Sequence, residues 1–530
     1  MSRAGKILQQ VQRGVRSVTY GNPLYHRILS ANVGAEELRF TPPDIWPGDA
    51  QAGMAIIADQ RRLFADHRRF NKSGWQTEVI RDLRAVGSEV ARRTVVSLIE
   101  NWLQQYDSWN EAEWAADILG ERIASWIGFY EFYAPAGDLE FTEQLTSSLA
   151  RQWQHLMRTV PTMLTGIGGL QAVKGLVYGG LNFAEGEKAL GLGCDLLRRQ
   201  LAAEILPDGG HRTRSPSVQL HMLRSLIDLR AVLRTARLEV PNEIKAAIEA
   251  MIPALRFFRH GDGGLALFHG GQAESSLLIE AVLTQSEVRS RALRRLPETG
   301  YERLTSGRSL LLADVGRPPA HGYDDEAHAG LLSVEFGNGR ERLIVNCGSL
   351  PQADTTWRMA CAATAAHTTL TVEDKNACEI LPSGGVGQRP RQTSIQRYEQ
   401  DGSQFIEMMH DGYRQRFSVM HHRILSLSAD GDELHGSDSL SGPMGRNFTL
   451  RWHLHPDVQA SLLHSGQAAL LRTASGNGWR LRVDGGDLGL EPSIYCGDGT
   501  PRRTLQLKVS GRTHGDPTTV AWNLVREKRS

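Results

Sequence analysis

Two hydrophobic periods divide the chain. From about Pro47 to Leu283, apolar residues recur at spacings of three and four, and turn residues separate the segments. Runs such as ARRTVVSLIENWLQQY and FTEQLTSSLARQWQHLMRTV are therefore predicted to be amphipathic helices. A βαβ architecture would need Val/Ile-rich strands between these helices, and none is visible. The first half is predicted to be a succession of antiparallel helical hairpins.

The period changes to two after an arginine-rich connector, SEVRSRALRRLPETGYER. The segment LLSVEFGNGRERLIVNCG has the pattern of a hairpin with an Asn-Gly turn, and later segments repeat the strand, turn, strand pattern. Several strands at such spacing predict an antiparallel β-sandwich. The predicted organisation is an N-terminal arm at 1–45, a helical domain at 46–285, a linker at 286–304 and a β-sandwich domain at 305–530.

Composition and charge narrow the class of protein. Of 530 residues, 60 are Lys or Arg and 59 are Asp or Glu, so the net charge of +1 argues against broad electrostatic binding of nucleic acid or of an anionic membrane surface. No apolar run is long enough for a membrane span, and membrane insertion is excluded. The five cysteines contain no CxxC pair, so a disulfide framework is not expected. The basic, amphipathic N-terminus shows no secretory signal.

The segment LPDGGHRTRSP contains the first candidate site. Asp208-Gly209-Gly210 ends one helix, and Ser215-Pro216 begins the next. His211, Arg212 and Arg214 are therefore predicted to lie in a short loop near a helix N-terminus, where guanidinium groups favour an anion such as a carboxylate. The alternative is a solvated turn whose arginines pair with neighbouring acids.

A second candidate is the glycine-rich segment FFRHGDGGLALFHGG, with His260, Asp262 and His269. Glycine-rich loops let a ligand approach the backbone. This one lacks the GK[ST] sequence and the preceding strand of a phosphate loop. The alternative is a glycine-rich hairpin with incidental histidines.

Further candidates lie in the β half. His328, Asn346 and His367 fall at the ends of neighbouring predicted strands, and two imidazoles with one oxygen would suit a zinc ion. Alternatively, the histidines are only hydrogen-bonded. His410 and Tyr413 could supply a base and an acid if they face a cleft. The alternative for these residues is packing within the sheet.

The motifs WAADILGERIASW, DGGHRTRSP, HAGLLSVEFGNGRERLIVNCG and WRMACAATAAHTTL resemble the heparinase II/III-like polysaccharide lyases over nearly the whole chain. The resemblance implies an incomplete (α/α) toroid followed by an antiparallel β-sandwich. It also implies β-elimination on a uronic-acid polysaccharide: the carboxylate is neutralised, a base takes the C5 proton, and an acid protonates the departing oxygen. Family members are largely exported, which implies a periplasmic or cell-envelope location, whereas the missing signal indicates the cytoplasm.

The chain departs from the family pattern at important positions. Gly166-Ile167-Gly168 stands where the family has Asn-Asn-His, and Val218-Gln219 stands where it often has Tyr-His. In the family's His-x-His-Ala-Asp segment, this chain keeps only the second histidine, His328, and has Gly330 at the aspartate. Asn346 occupies the position of the aspartate that holds zinc with two histidines in some relatives.

Three hypotheses follow from the resemblance and from the positions where the chain departs from the family. A divergent lyase, acting on an acidic polysaccharide or oligosaccharide, is favoured because the charged loops could replace the lost groups. The alternative is a noncatalytic carbohydrate-binding protein, or a glycoside hydrolase using Asp208 and Asp262. The predicted site residues are His211, His260, His410 and Tyr413 for catalysis, Arg212, Arg214, Asp262 and Trp114 for substrate binding by charge and aromatic stacking, and His328, Asn346 and His367 for one zinc ion.

Overall fold

The computed structural model describes residues 18–30, 38–58, 75–161, 165–350, 354–463, 466–515 and 517–527. These residues form two compact units. The first unit draws on Met1–Glu204 and Met222–Ile248, and the second on Ile205–His221 and Glu249–Ser530. The prediction about the N-terminal signal concerns residues that lie largely outside the described ones.

The first unit is helical, as its period of 3.6 predicts. Segments with one apolar face become helices because that face is buried against neighbouring helices. The helices, including two that continue into the second unit, are α1 Pro23–Ser30, α2 Ala50–Ala58, α3 Trp75–Val86, α4 Glu89–Tyr106, α5 Ala116–Gly128, α6 Tyr130–Tyr133, α7 Leu139–Thr159, α8 Gly166–Gly180, α9 Gly186–Glu204, α10 Pro216–Thr235 and α11 Asn242–Phe257, with a 3₁₀ turn at Ala134–Ala136.

Local sequence fixes the starts and the closest contact of these helices. Ser88 and Asp138 cap α4 and α7 by accepting backbone N–H groups in the first turn. Helices α5 and α8 approach at glycines, since a Cβ built on Gly120 would lie 2.1 Å from the carbonyl oxygen of Gln171. Among the described helices, none combines the length and apolar character needed to cross a bilayer.

The second unit carries two antiparallel sheets, with one helix before them and two between strands. Its helices are α12 Ser276–Gln285, α13 Thr355–Ala362 and α14 Arg414–Phe417, with a 3₁₀ turn at Thr364–Ala366. Its strands are β1 Arg295–Leu296, β2 Tyr301–Ser306, β3 Ser309–Asp314, β4 Val334–Asn338, β5 Glu341–Val345, β6 Leu370–Val372, β7 Thr393–Gln400, β8 Ser403–His410, β9 Met420–Leu427, β10 Glu433–Ser441, β11 Asn447–Leu454, β12 Gln459–Leu462, β13 Ala468–Arg472, β14 Gly478–Asp484, β15 Asp487–Tyr495, β16 Arg502–Arg512 and β17 Thr518–Arg526.

The order of strands differs between the two sheets. One sheet runs β1-β2-β3-β4-β5-β11-β16-β15, with β6 also paired to β11, and the other runs β12-β13-β14-β17-β10-β9-β8-β7. The predicted Asn-Gly hairpin is present as β4 and β5, which pair antiparallel. A single hydrophobic cluster with residues from both sheets, including Phe336, Trp452 and Trp479, forms the core. Strand β1 and the start of β2 lie within the predicted linker 286–304. Leu296 and Tyr301 of these strands are fully buried, so this part of the chain belongs to the packed structure of the second unit.

Candidate functional site

Arg214 is a buried structural cation in the second unit. It occupies the left-handed region at φ 61°, and its guanidinium forms an ion pair with Asp314 at the end of β3. It also donates from Nε to the carbonyl of Thr299 at 2.6 Å and from Nη2 to that of Gly300 at 2.9 Å. The guanidinium carbon lies 4.7 Å from the centre of the Tyr301 ring. The guanidinium of Arg214, which was predicted to bind a substrate carboxylate, is therefore already paired with groups of the protein itself.

The predicted loop also contains His211 and Arg212. His211 is 1% exposed, and its Nδ1 accepts the backbone N–H of Thr213 at 3.2 Å. Because Nδ1 accepts, Nε2 carries the proton of the neutral ring. Arg212 is only half-buried, and its guanidinium carbon lies 5.6 Å from the ring centre of Tyr323. Of the two arginines predicted to bind substrate, Arg212 is therefore the more accessible.

A chain of histidines continues from Asp314. Nε2 of His269 lies 3.1 Å from Oδ2 of Asp314, and Nδ1 of His269 accepts the backbone N–H of His328 at 3.2 Å. Nδ1 of His328 and Nε2 of His367 are 3.0 Å apart. His367 donates from Nδ1 to the carbonyl of Ala363 at 2.8 Å, so its Nε2 accepts and His328 donates. Burial lowers the pKa of His367 to about 4.

The same burial sets the charge of the other members. Burial lowers the pKa of His269, and the nearby Arg214 adds to the effect. For Asp314, burial opposes ionisation, but the Arg214 guanidinium outweighs it and the pKa is lowered. The pKa of His328 falls well below its ordinary value, through burial first and His367 second. The arrangement is therefore one ion pair followed by neutral imidazoles.

This arrangement does not fit the predicted zinc site. His328 and His367 do point nitrogens at each other, but each nitrogen is used in their mutual hydrogen bond. The third predicted ligand, Asn346, accepts the N–H of Thr368 at 3.0 Å and donates from its amide to Glu335 at 3.3 Å. Zinc sites need at least three protein ligands. Within the described ranges, no group of three His, Cys, Asp or Glu side chains is placed to hold a metal ion.

Glu335 on β4 is the partner of His260. Its Oε2 lies 2.8 Å from Nε2 of His260, while Oε1 accepts the backbone N–H groups of Leu267 and Asn346 at 3.0 and 3.2 Å. Burial lowers the pKa of His260, and Arg342 adds to this, although Glu335 opposes it. His260 is 4% exposed, so the proposed base is engaged inside the protein.

Asp262 is paired with Arg342 on β5. Two donor nitrogens of Arg342 reach Oδ2 and Oδ1 of Asp262 at 2.7 and 3.1 Å. A third donates to the carbonyl of Leu265 at 2.8 Å. Burial opposes ionisation of Asp262, but Arg342 outweighs it and lowers the pKa to about 2. The carboxylate therefore closes the glycine-rich loop against the sheet.

His410 and Tyr413 lie together, but in the core of the second unit. Their ring centres are 5.4 Å apart, and their exposures are 0% and 1%. Tyr413 donates its hydroxyl to the carbonyl of Leu370 at 2.8 Å. Nε2 of His410 lies 3.3 Å from Nδ1 of His421, and Nε2 of His421 lies 2.8 Å from Oδ1 of Asp438. Burial lowers the pKa of His410 well below its ordinary value and raises that of Tyr413.

Trp114 belongs to the interior of the first unit. It is 2% exposed, and its Nε1 donates to the carbonyl of Tyr106 at 2.9 Å. Its ring centre lies 5.3 Å from that of His155 in an edge-to-face contact. The predicted role of stacking on a sugar would require a face of the indole that is open to ligand.

Several residues that organise these contacts were missed in the sequence. They are the buried charged partners Asp314, Glu335, Arg342 and Asp438. One signal was available: Glu335 interrupts an otherwise apolar strand, VEF, and a charge at such a position is retained only with a partner. The identity of that partner depends on contacts between residues far apart in the chain.

Comparisons with known proteins agree with this architecture. The family described as "Heparinase II/III-like, C-terminal" matches residues 288–523. FtsZ-localized protein C of Caulobacter vibrioides is 30% identical over 542 aligned residues, which cover 94% of this chain and 92% of that protein. The crystal structure of heparinase III superposes with a TM-score of 0.69 at 13% identity, covering 86% of this chain and 76% of that one.

A further similar structure is the chondroitin AC lyase of Streptomyces coelicolor A3 in complex with chondroitin sulphate, with a TM-score of 0.53 at 11% identity, covering 95% of this chain and 78% of that one. A helical region followed by two antiparallel sheets is thus the scaffold of a polysaccharide lyase, and the predicted fold class is confirmed. The chain belongs to the heparinase II/III-like family.

Proposed function

We propose that this protein is a binding protein that keeps the polysaccharide-lyase scaffold without its chemistry and acts at the cellular position of FtsZ. The observation that carries the proposal is the state of the predicted catalytic side chains. His260, His410 and Tyr413 are buried and bonded to protein groups. A general base or acid must have its reactive atom available to the substrate, and Nε2 of His260 and the hydroxyl of Tyr413 are already hydrogen-bonded to protein groups.

The positions where this chain lacks the family's catalytic side chains support the same proposal. Gly166-Ile167-Gly168 has no side chain that could neutralise a uronate carboxylate, and Val218-Gln219 offers no tyrosine. Gln219 is committed to the backbone, because its amide donates to the carbonyls of Gly209 and Met251 at 2.8 and 3.0 Å. The missing carboxylate-neutralising groups and the missing acid are two of the three requirements of β-elimination.

The proposed location comes from a relative. FtsZ-localized protein C is similar over nearly the full length of both chains, and its name states a location with FtsZ. We extend that location to this chain. The proposal therefore also places the protein in the compartment that contains FtsZ, rather than in the periplasm. The predicted β-elimination on an acidic polysaccharide is the competing function, and the two are separated by experiment.

The first experiment measures chemistry. The purified protein is incubated with a panel of uronate-containing polysaccharides, with heparinase III as positive control, while absorbance of the unsaturated product is followed. We expect no unsaturated product from any polymer. Formation of unsaturated product would overturn the noncatalytic proposal. If product then disappeared in His211→Gln but not in the exposed control His321→Gln, the base would be assigned to the predicted loop.

The second experiment measures location. A fluorescent fusion of the full chain, expressed in its own host, is imaged together with labelled FtsZ. We expect the two signals to coincide, and the fusion to disperse when FtsZ is depleted. A fusion that stays uniformly distributed, or that keeps its position without FtsZ, would contradict the proposed location whatever the outcome of the lyase assay.

A further inference from the structure

The arginine-rich connector helps to form a cavity of about 430 Å³ in the second unit. We call this cavity the arginine pocket, and its charged and polar lining residues are Arg256, Arg259, Arg291, Arg303, His260 and Ser290. The other lining residues are Gly261 and Ala292, so none of the described residues that line the cavity carries a carboxylate. Four guanidinium groups in one concave surface make it strongly attractive to anions.

Two of the arginines are held in place by the protein. Arg303 on β2 donates from Nη1 to the carbonyls of Phe257 and Arg259, at 2.7 and 3.2 Å, at the end of α11. Arg259 forms an ion pair with Glu280 and donates from Nε to the carbonyl of Gly263 at 3.2 Å. Burial lowers the pKa of Arg303 to about 10. These two groups give the pocket a fixed positive wall.

The remaining polar groups have unused bonding capacity. Nε of Arg256 and the hydroxyl of Ser290 are buried and have no hydrogen-bond partner among the described residues. Arg291 is exposed, and its guanidinium forms no ion pair within the same set of residues. A buried donor without a hydrogen-bond partner destabilises the protein. A bound oxyanion would satisfy these donors together.

A larger cavity of about 630 Å³ in the same unit does not have this excess of positive charge. It is lined by Arg308, Arg340 and Arg526, but also by Glu341, Asp432 and Glu527. Its acids balance its arginines, and Arg526 already pairs with Asp432 at 3.2 Å. An anion gains little there, so the arginine pocket is the stronger site.

We propose that the arginine pocket binds a small molecule that carries phosphate. A single carboxylate occupies one guanidinium, whereas a phosphate or diphosphate offers several charged oxygens to several guanidiniums at once. The volume falls in the range of small-molecule sites. Arg256 and Arg291 supply the free donors, Ser290 adds a hydroxyl, and Arg303 and Arg259 supply fixed charge. This ligand site is independent of the proposed function.

The test uses the full chain and pyrophosphate as the probe, titrated by calorimetry in about 150 mM potassium chloride, which screens weak surface attraction. The double variant Arg256→Gln with Arg291→Gln removes the free donors. The matched control is Arg289→Gln, because Arg289 is an exposed arginine of the same connector that does not line the cavity. We expect saturable binding by the wild type and the control, and at least about tenfold weaker binding by the double variant.

Thermal unfolding of all three proteins provides the check on folding, and we expect equal midpoints. The proposal is overturned if pyrophosphate does not saturate, or if the control loses as much affinity as the double variant. Orthophosphate and a sugar phosphate form further arms: tighter binding of either one supports the site and identifies the free ion or the ester as its source. Tighter binding of a chondroitin sulphate oligosaccharide than of any phosphate would overturn the proposal in favour of a glycan.

Discussion

The buried imidazole of His367 makes the stability of the second unit depend on pH. The folded protein keeps this ring neutral down to about pH 4, because burial lowers its pKa from 6.5 to about 4. In the unfolded chain the ring takes up a proton below pH 6.5. The unfolded state therefore binds more protons between pH 6.5 and 4. The contribution of His367 is fully present above pH 6.5 and is lost as the pH falls through that window.

The size of this loss follows from the change in pKa. One pKa unit corresponds to about 1.4 kcal/mol, so a change from 6.5 to about 4 corresponds to about 3 kcal/mol of unfolding free energy. His367 is 1% exposed, so solvent screens it little. The carboxylates Asp262 and Asp438 have lowered pKa values, so their contributions to the unfolding free energy are lost below about pH 4 and outside this window.

The assay compares the wild type with His367→Gln. Glutamine keeps an amide that can donate to the Ala363 carbonyl and accept from His328, but it takes up no proton. Urea unfolding of both proteins is followed by tryptophan fluorescence at several pH values from 7 to 4.5. We expect the unfolding free energy of the wild type to fall more steeply with decreasing pH than that of His367→Gln. The difference in slope should be about 1.4 kcal/mol per pH unit, which corresponds to the uptake of one proton on unfolding.

The control is His321→Gln, because the side chain of His321 is 77% exposed. Its pH dependence should match that of the wild type. Parallel curves for the wild type and His367→Gln would refute the reasoning, since they would mean that the His367 ring binds a proton equally in both states. A change of slope in His321→Gln as large as that in His367→Gln would refute it as well.

Three further outcomes are expected. Asp314→Asn leaves the buried guanidinium of Arg214 without its ionic partner and should cost about 3 to 5 kcal/mol in urea unfolding, whereas Asp432→Asn, in a partly exposed pair, should cost about 1 kcal/mol or less; equal costs would contradict the structural role of the buried pair. Gly330→Ala places a Cβ 2.6 Å from the ring of His367 and should destabilise by about 1 to 3 kcal/mol, so an unchanged unfolding midpoint would refute this packing. Metal analysis of protein purified without added zinc should find well below one equivalent, because the described residues bring only two imidazoles together at the predicted zinc site, and one tightly held equivalent would support that site.

Much of the fold could be predicted from the sequence because hydrophobic periodicity reports local geometry. The run FTEQLTSSLARQWQHLMRTV corresponds to Leu139–Thr159, and the Asn-Gly hairpin to Val334–Asn338 with Glu341–Val345. The first strand of the β half could not be recognised from the hydrophobic pattern. Strand β1 has only two residues, and its burial comes from pairing with β2 rather than from a pattern of its own.

The candidate site was less predictable, because titratable residues look the same in a sequence whether they are exposed or enclosed. His410 and Tyr413 are close in the sequence and in the structure, but their surroundings depend on Asp438 and His421 on neighbouring strands. The pairing of Arg214 with Asp314 joins residues 100 positions apart. Such partners are brought together only when the sheets are complete.

The sequence by itself determined the helical and β halves of this protein, its lyase-like motifs and the absence of the family's carboxylate-binding and tyrosine positions. These features are local, since each is written in the order and spacing of neighbouring residues. Only the tertiary structure decided which charges are used internally and which are left for a ligand. Burial raises the cost of an unpaired charge, so Arg214, His260 and Asp262 are satisfied by distant partners, whereas Arg256 and Arg291 line a cavity without them.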